Sequence, residues 1–193
     1  MRKTTKSRET GETNVTVTLN LDGQGKTAID TGIPFLDHML TLFGFHGSFD
    51  LEIRASGDLD VDDHHTVEDV GIVLGGALKE LIGQNAGLVR YGTFLLPMDE
   101  VLARVAIDIS GRSYLHYSAE YSREKVGTLS TENVQEFFRA LVRESGITLH
   151  LDILTPGNDH HQVESLFKGF GRALRIAVTD DPSQKVTSTK GVI

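Results

Sequence analysis

The sequence predicts an α+β protein of two similar halves, about 1–86 and 87–193, folded together as a single domain over 1–193. Each half is expected to be a small, mostly antiparallel sheet packed with two α-helices. Three observations predict this. Strand-like and helix-like periodicities are interspersed along the chain, and a six-residue motif recurs 96 residues downstream. The clearest mid-chain break, Gly83-Gln84-Asn85-Ala86-Gly87, is five residues long, an ordinary connection and no linker. At 193 residues and 39% hydrophobic, the chain has enough apolar material for a substantial core.

Residues 15–21 alternate Val-Thr-Val-Thr-Leu-Asn-Leu before Asp22-Gly23, a half-buried strand running into a turn. Helical spacing follows Pro34, over 35–43. Residues 49–55 turn Phe49, Leu51 and Ile53 to one side and read as a strand; helical spacing resumes over 66–82. In the second half, 101–109 is a strand with Val101, Ala103, Val105, Ile107 and Ile109 inward, and 131–144 is a helix. Residues 148–154 form a strand with Leu149, Leu151 and Ile153 inward, and 162–178 a helix. Leu21-Asp22-Gly23 matches Ile109-Ser110-Gly111 at an offset of 88, so the second half carries a loop insertion of eight residues. The polar stretch 182–190 reads as a frayed terminus.

Composition narrows the functions open to such a chain. With 19 basic and 27 acidic residues the net charge is −8, which argues against nucleic-acid or anionic-membrane binding. No window approaches the roughly 18 apolar residues of a membrane span, and no apolar signal core follows the amino terminus, so a cytoplasmic location is expected. Zero cysteines leave only imidazole and carboxylate as metal ligands.

The repeat carries those ligands. Asp63-His64-His65-Thr66-Val67-Glu68 recurs as Asp159-His160-His161-Gln162-Val163-Glu164, each copy opening a helix. Residues four apart share a helical face, so His64 with Glu68, and His160 with Glu164, each grip one ion, while His65 and His161 turn toward another. His38 lies 26 residues before His64, and Glu136 lies 24 before His160, both on helices where a fourth ligand is wanted. A single His-His pair is usually a surface feature; duplication with the glutamate retained points to metal. Manganese, iron, zinc and cobalt all suit this donor set.

These two motifs, with Phe35-Leu36-Asp37-His38-Met39-Leu40, Pro97-Met98-Asp99-Glu100, Asp108-Ile109-Ser110-Gly111-Arg112 and Ser188-Thr189-Lys190-Gly191-Val192, closely resemble the imidazoleglycerol-phosphate dehydratase family of histidine biosynthesis. The resemblance runs along essentially the whole chain. It implies two βαβα-type halves of the ribosomal protein S5 domain 2-like kind, two Mn2+ per subunit, and homo-oligomeric trimers that metal joins into a 24-mer with active sites between subunits. One ion would take His38, His65, His160 and Glu164; the other His64, Glu68, His161 and Glu136, where the family often carries histidine. Arg90, Arg112, Lys168, Ser188, Thr189 and Lys190 would bind the phosphate of a phosphorylated imidazole substrate, with Glu12, His38 and His46 also at the substrate. The implied reaction is a hydro-lyase elimination through a metal-stabilised imidazolate and a diazafulvene, with Glu12 as the base and Asp99 and His46 as further catalytic candidates.

Two other classes fit parts of the pattern. A dinuclear metallohydrolase would show bridging aspartates, whereas here the motifs are rich in histidine. A metal-assembled scaffold explains the repeat but gives Arg90, Arg112 and residues 188–190 no role.

Overall fold

In the first half, β1 (Lys3–Glu9), β2 (Thr13–Asn20) and β3 (Thr27–Asp30) precede α1 (Pro34–Gly47), and β4 (Asp50–Gly57) precedes α2 (His64–Gly83). In the second half, β5 (Tyr91–Met98), β6 (Val101–Asp108) and β7 (Tyr114–Ser118) lead into a small hairpin, β8 (Lys125–Val126) and β9 (Leu129–Ser130). Then come α3 (Thr131–Ser145), β10 (Thr148–Thr155) and α4 (Asp159–Ala177). This computed structural model describes residues 1–83, 87–181 and 183; the carboxy-terminal stretch read as frayed lies almost wholly outside them.

Alternation places the central strands. Val15, Val17 and Leu19 of β2 are fully buried, as are Ala103 and Val105 of β6, because every second side chain faces the core. Leu149 and Leu151 of β10 follow the same rule; Ile153 is only partly buried, beside a register shift between Ile153 and Thr155. The sheets have the orders β1-β2-β4-β3 and β5-β6-β10-β7. Each is mixed, its first two pairings antiparallel and its last, β3 with β4 or β7 with β10, parallel. The extra length of the second half sits between β7 and α3, residues 119–130, against residues 31–33 between β3 and α1.

The four helices lie between the sheets. α2 covers β1 and β2, and α4 covers β5 and β6. Across the middle, α2 packs on α3 and α1 on α4, so each helix meets a partner from the other half. Stacked rings fill the seam, with Phe43 and Phe170 5.0 Å apart and Phe138 and Phe167 4.9 Å apart. Close approach needs glycine at two equivalent crossings. A methyl added at Gly75 would stand 2.5 Å from the Leu141 carbonyl oxygen, and one at Gly171 2.6 Å from that of Phe43. Among the described residues no helix is long and apolar enough to cross a membrane.

Gly75→Ala and Gly171→Ala should each destabilise the fold by about 1–3 kcal/mol in urea unfolding, since backbone atoms must shift to admit the methyl. Gly76→Ala, where an added methyl meets nothing within 4 Å, should be neutral or gain up to about 1 kcal/mol from helix propensity. Equal stability of all three variants would contradict the close crossing.

Candidate metal centre

The aspartate that opens each motif is an anchor. Buried Asp63 accepts the Ser130 N–H and hydroxyl, both at 2.7 Å. Buried Asp159 accepts the Ser122 hydroxyl at 2.9 Å and the Arg123 N–H at 2.9 Å. Burial alone would raise both carboxyl groups, but these donors more than reverse it, and both lie below the ordinary range. The first helical N–H groups are capped alongside: Asp62 accepts from His64 N–H at 2.8 Å, and Asn158 accepts from His160 N–H at 2.9 Å.

From these fixed starts the paired imidazoles diverge. His64 and His65 lie at 85° with centroids 6.0 Å apart, and His160 and His161 at 82° and 6.1 Å. One member of each pair faces the seam between helices; the other faces an acidic cradle at the end of a sheet.

At the α1–α4 seam, Glu164 Oε2 stands 3.0 Å from His160 Nε2 and 3.4 Å from His38 Nε2. These three offer ligand atoms all within 4.8 Å of one another. Burial tends to raise Glu164, yet hydrogen bonds from Lys168 and His160 bring its carboxyl below the ordinary range. Nearby His46 has its imidazole lowered by burial, then by the charges of Lys168 and Arg172. At the equivalent α2–α3 seam His64 and Glu68 are 3.9 Å apart, and Asn133 Oδ1 lies 3.0 Å from His64 Nδ1. Glu68 also meets Arg143 at 3.4 Å, and Glu136, one turn on from Asn133, pairs with Arg139 at 2.5 Å.

His65 and His161 sit on the cradles. His65 Nδ1 is 3.0 Å from Asp58 and 3.8 Å from Glu12, at a groove of about 350 Å³ lined by Thr10, Glu12 and Asp58. The Asp58 hydrogen bond, with the charge of Glu12 behind it, raises His65. His161 Nδ1 is 3.0 Å from Glu100, and Asp99 completes that group. Glu100 is itself held by the Asn158 N–H at 2.7 Å, which with further hydrogen bonds, including that from His161, lowers its carboxyl to about 2. Elsewhere Arg90 meets Asp108 at 2.7 Å, with Arg112 at 3.9 Å from the same carboxylate.

A family model described as imidazoleglycerol-phosphate dehydratase matches residues 31–174, a span that holds both motifs and the two seam helices. Proteins named imidazoleglycerol-phosphate dehydratase are similar along almost their whole length. That of Clostridium botulinum (strain Alaska E43 / Type E3) is 57% identical over 96% of this chain and 95% of its own, and that of Staphylococcus carnosus 54% over 97% of each. The chain belongs to the imidazoleglycerol-phosphate dehydratase family. The motif resemblance is thereby confirmed, and the family is one of hydro-lyases. Crystal structures agree in fold. The family member from Staphylococcus aureus N315 aligns with a TM-score of 0.84 at 49% identity, covering 92% of this chain and 98% of its own. The one from Pyrococcus furiosus, in complex with (S)-C348, aligns at 0.84 and 37%, covering 97% and 100%.

Of the residues the sequence singled out, one chain brings together His38, His160 and Glu164, then His64 and Glu68, then Arg90 and Arg112. It does not bring His65 to the first group or His161 to the second, because each ring points along its own sheet toward carboxylates. Lys168 lies beside Glu164, apart from the Arg90–Arg112 pair. Ser188, Thr189 and Lys190 lie outside the described residues. Sequence reasoning missed Asp58 as a partner of His65 and Glu100 as a partner of His161. A signal existed for Glu100, which stands 88 residues after Glu12, the offset that relates the two central strands.

Glu100 titrates lower in the fold than its ordinary value of 4.5, so its ionised form stabilises the protein above about pH 4.5. That contribution is lost as pH falls toward 2. In chelator-treated protein, the thermal midpoint of wild type should exceed that of Glu100→Gln at neutral pH, and the gap should close between pH 4.5 and 2. A gap independent of pH would mean the carboxylate is not held as an anion.

Proposed function

We propose that this chain converts imidazoleglycerol phosphate to imidazole-acetol phosphate in histidine biosynthesis, with two manganese ions per subunit. The observation that carries the reading is the convergence of His38, His160 and Glu164 within 4.8 Å in a member of the dehydratase family. The donor set fits: imidazole nitrogen with carboxylate oxygen, and no thiolate, suits manganese. His38, His160 and Glu164 would hold one ion, with a His65 as fourth ligand. His64, Glu68 and Glu136 would hold the other, with a His161. Since His65 and His161 turn away from these groups within a chain, the missing ligand would come from a neighbouring subunit. That arrangement supports a homo-oligomer in which metal links trimers into a 24-subunit shell. As an enzyme of amino-acid biosynthesis it would work in the cytoplasm.

When bound at the substrate ring, two divalent ions would supply the Lewis acidity that makes the imidazole an electron sink. Loss of the ring-adjacent hydroxyl then leaves a conjugated diazafulvene, whose neighbouring C–H is acidified. Glu12 is the base for that proton; it is solvent-exposed at the open groove and 3.8 Å from His65. Asp99 and His46 are candidates for delivering a proton to the departing hydroxyl. Burial and the flanking Lys168 and Arg172 make a protonated His46 a stronger acid than a free imidazolium. Arg90 and Arg112, sharing Asp108, would grip phosphate together with Lys168, Ser188, Thr189 and Lys190.

The purified chain should form ketone from imidazoleglycerol phosphate with manganese and none after chelation; release of inorganic phosphate instead would mark a hydrolase. Glu12→Gln should retain its manganese while kcat falls about 10²–10⁴-fold, the usual share of a general base. Near-normal turnover would remove Glu12 from proton transfer. Chelation should also shift the assembly to smaller species on size-exclusion chromatography, and an unchanged elution volume after full demetallation would overturn the metal-linked shell.

A further inference from the structure

We infer that Asp58 and Glu100 are positioning residues, each holding the Nδ1 side of one motif histidine, His65 or His161, so that Nε2 is the ring nitrogen left to ligate. The inference rests on the metal reading above, and it concerns two residues to which that reading gives no part.

The geometry is the same at both ends of the molecule. Asp58 places its two oxygens 3.0 and 3.2 Å from His65 Nδ1, and Glu100 places its two 3.0 and 3.3 Å from His161 Nδ1. An ionised carboxylate only accepts, so the proton of each neutral ring must sit on Nδ1, with the lone pair on Nε2. The opposite members of the motifs show no such hold by a carboxylate: His160 faces Glu164 through Nε2, and His64 meets the Asn133 amide through Nδ1. Fixing one nitrogen through a partner orients the other and makes it more basic, which is how outer residues tune an imidazole ligand.

Both positioning groups are tied down. Glu100 Oε1 accepts the Asn158 N–H at 2.7 Å, while the Asn158 side chain caps His160 N–H at 2.9 Å. One residue at the start of α4 thus fixes the backbone of the first histidine and, through Glu100, the ring of the second. Asp58 lies directly after β4, whose end is paired to β2 by Thr13 opposite Gly57.

The duplication shows why two different residues do this work. Glu12 precedes β2 as Glu100 precedes β6, so the two glutamates are equivalent. In the second half that glutamate holds the histidine at 3.0 Å; in the first half it stands off at 3.8 Å because Asp58 occupies Nδ1. Asp58 therefore leaves Glu12 uncommitted, as a proton-transfer group must be.

The test is solid-state ¹⁵N NMR on sedimented, chelator-treated protein labelled in its imidazole rings, at about pH 9 where histidines are neutral. Manganese titrations of the same proteins by calorimetry run beside it. Wild type should show Nδ1–H rings, one lost to the Nε2–H form in Asp58→Ala and another in Glu100→Ala. Manganese affinity should fall about 10–100-fold in each. Asp58→Asn and Glu100→Gln, whose carbonyl oxygens still accept, should keep the Nδ1–H rings and recover much of that affinity. Circular dichroism melts should show each variant folded. Tautomers that do not change in the alanine variants, or alanine variants that bind manganese like wild type, overturn the inference. A wild type that takes up no manganese overturns the metal reading instead, whatever its tautomers.

Discussion

The crossing of helices from opposite halves is the constraint on which the site depends. Gly75 lets α2 approach the backbone of α3, and Gly171 lets α4 approach α1. Had each half paired its own helices, His38 would lie beside His64, the motif that follows it in sequence. Because the pairing is crosswise, His38 meets His160 and Glu164, and Asn133 meets His64. Each seam therefore joins a motif from one half to a helix from the other, and neither half could build its own ligand group by folding alone. The shared core enforces this, since one continuous cluster of buried side chains runs from Val15 to Val178.

The charges are arranged to hold that geometry in an acidic chain. Lys168 pairs with Glu164, Arg143 with Glu68, Arg139 with Glu136 and Arg90 with Asp108. The carboxylates at the seams are thus neutralised locally. A divalent ion and the Lys168 ammonium compete for the same carboxylate of Glu164, so the cation site and the nearest basic group are electrically coupled. By contrast Asp63 and Asp159, which begin the motifs, are spent on backbone and hydroxyl donors and take no part in any ligand group.

Legibility in the sequence followed the physics of burial. β2, β4, β6 and β10 alternate cleanly because one face is buried against helices, and all four helices carry apolar stripes for the same reason. β1 (Lys3-Thr4-Thr5-Lys6-Ser7-Arg8-Glu9) and β7 are edge strands with exposed or half-buried side chains, so nothing in their pattern marks them. β5 carries Pro97 and also lies at an edge, where a missing N–H is tolerated. The ligand pairs His64 with Glu68 and His160 with Glu164 were legible because they are local. Which helix lies across from them, and that Asp58 reaches His65, are long-range facts with no periodic trace.

The motif itself resolves into one physical task per position. The aspartate anchors the helix start through buried hydrogen bonds, and the two histidines diverge to different ligand groups. The fourth position, Thr66 or Gln162, is buried and leaves one side-chain oxygen without a partner. The valine, Val67 or Val163, is fully buried in the core. Since the third and fourth residues of the helix face inward, the next position on the outward face of the first histidine is the fifth, and the glutamate stands there. Spacing of four is therefore dictated twice, by the reach of two ligands on one face and by the need to bury what lies between them.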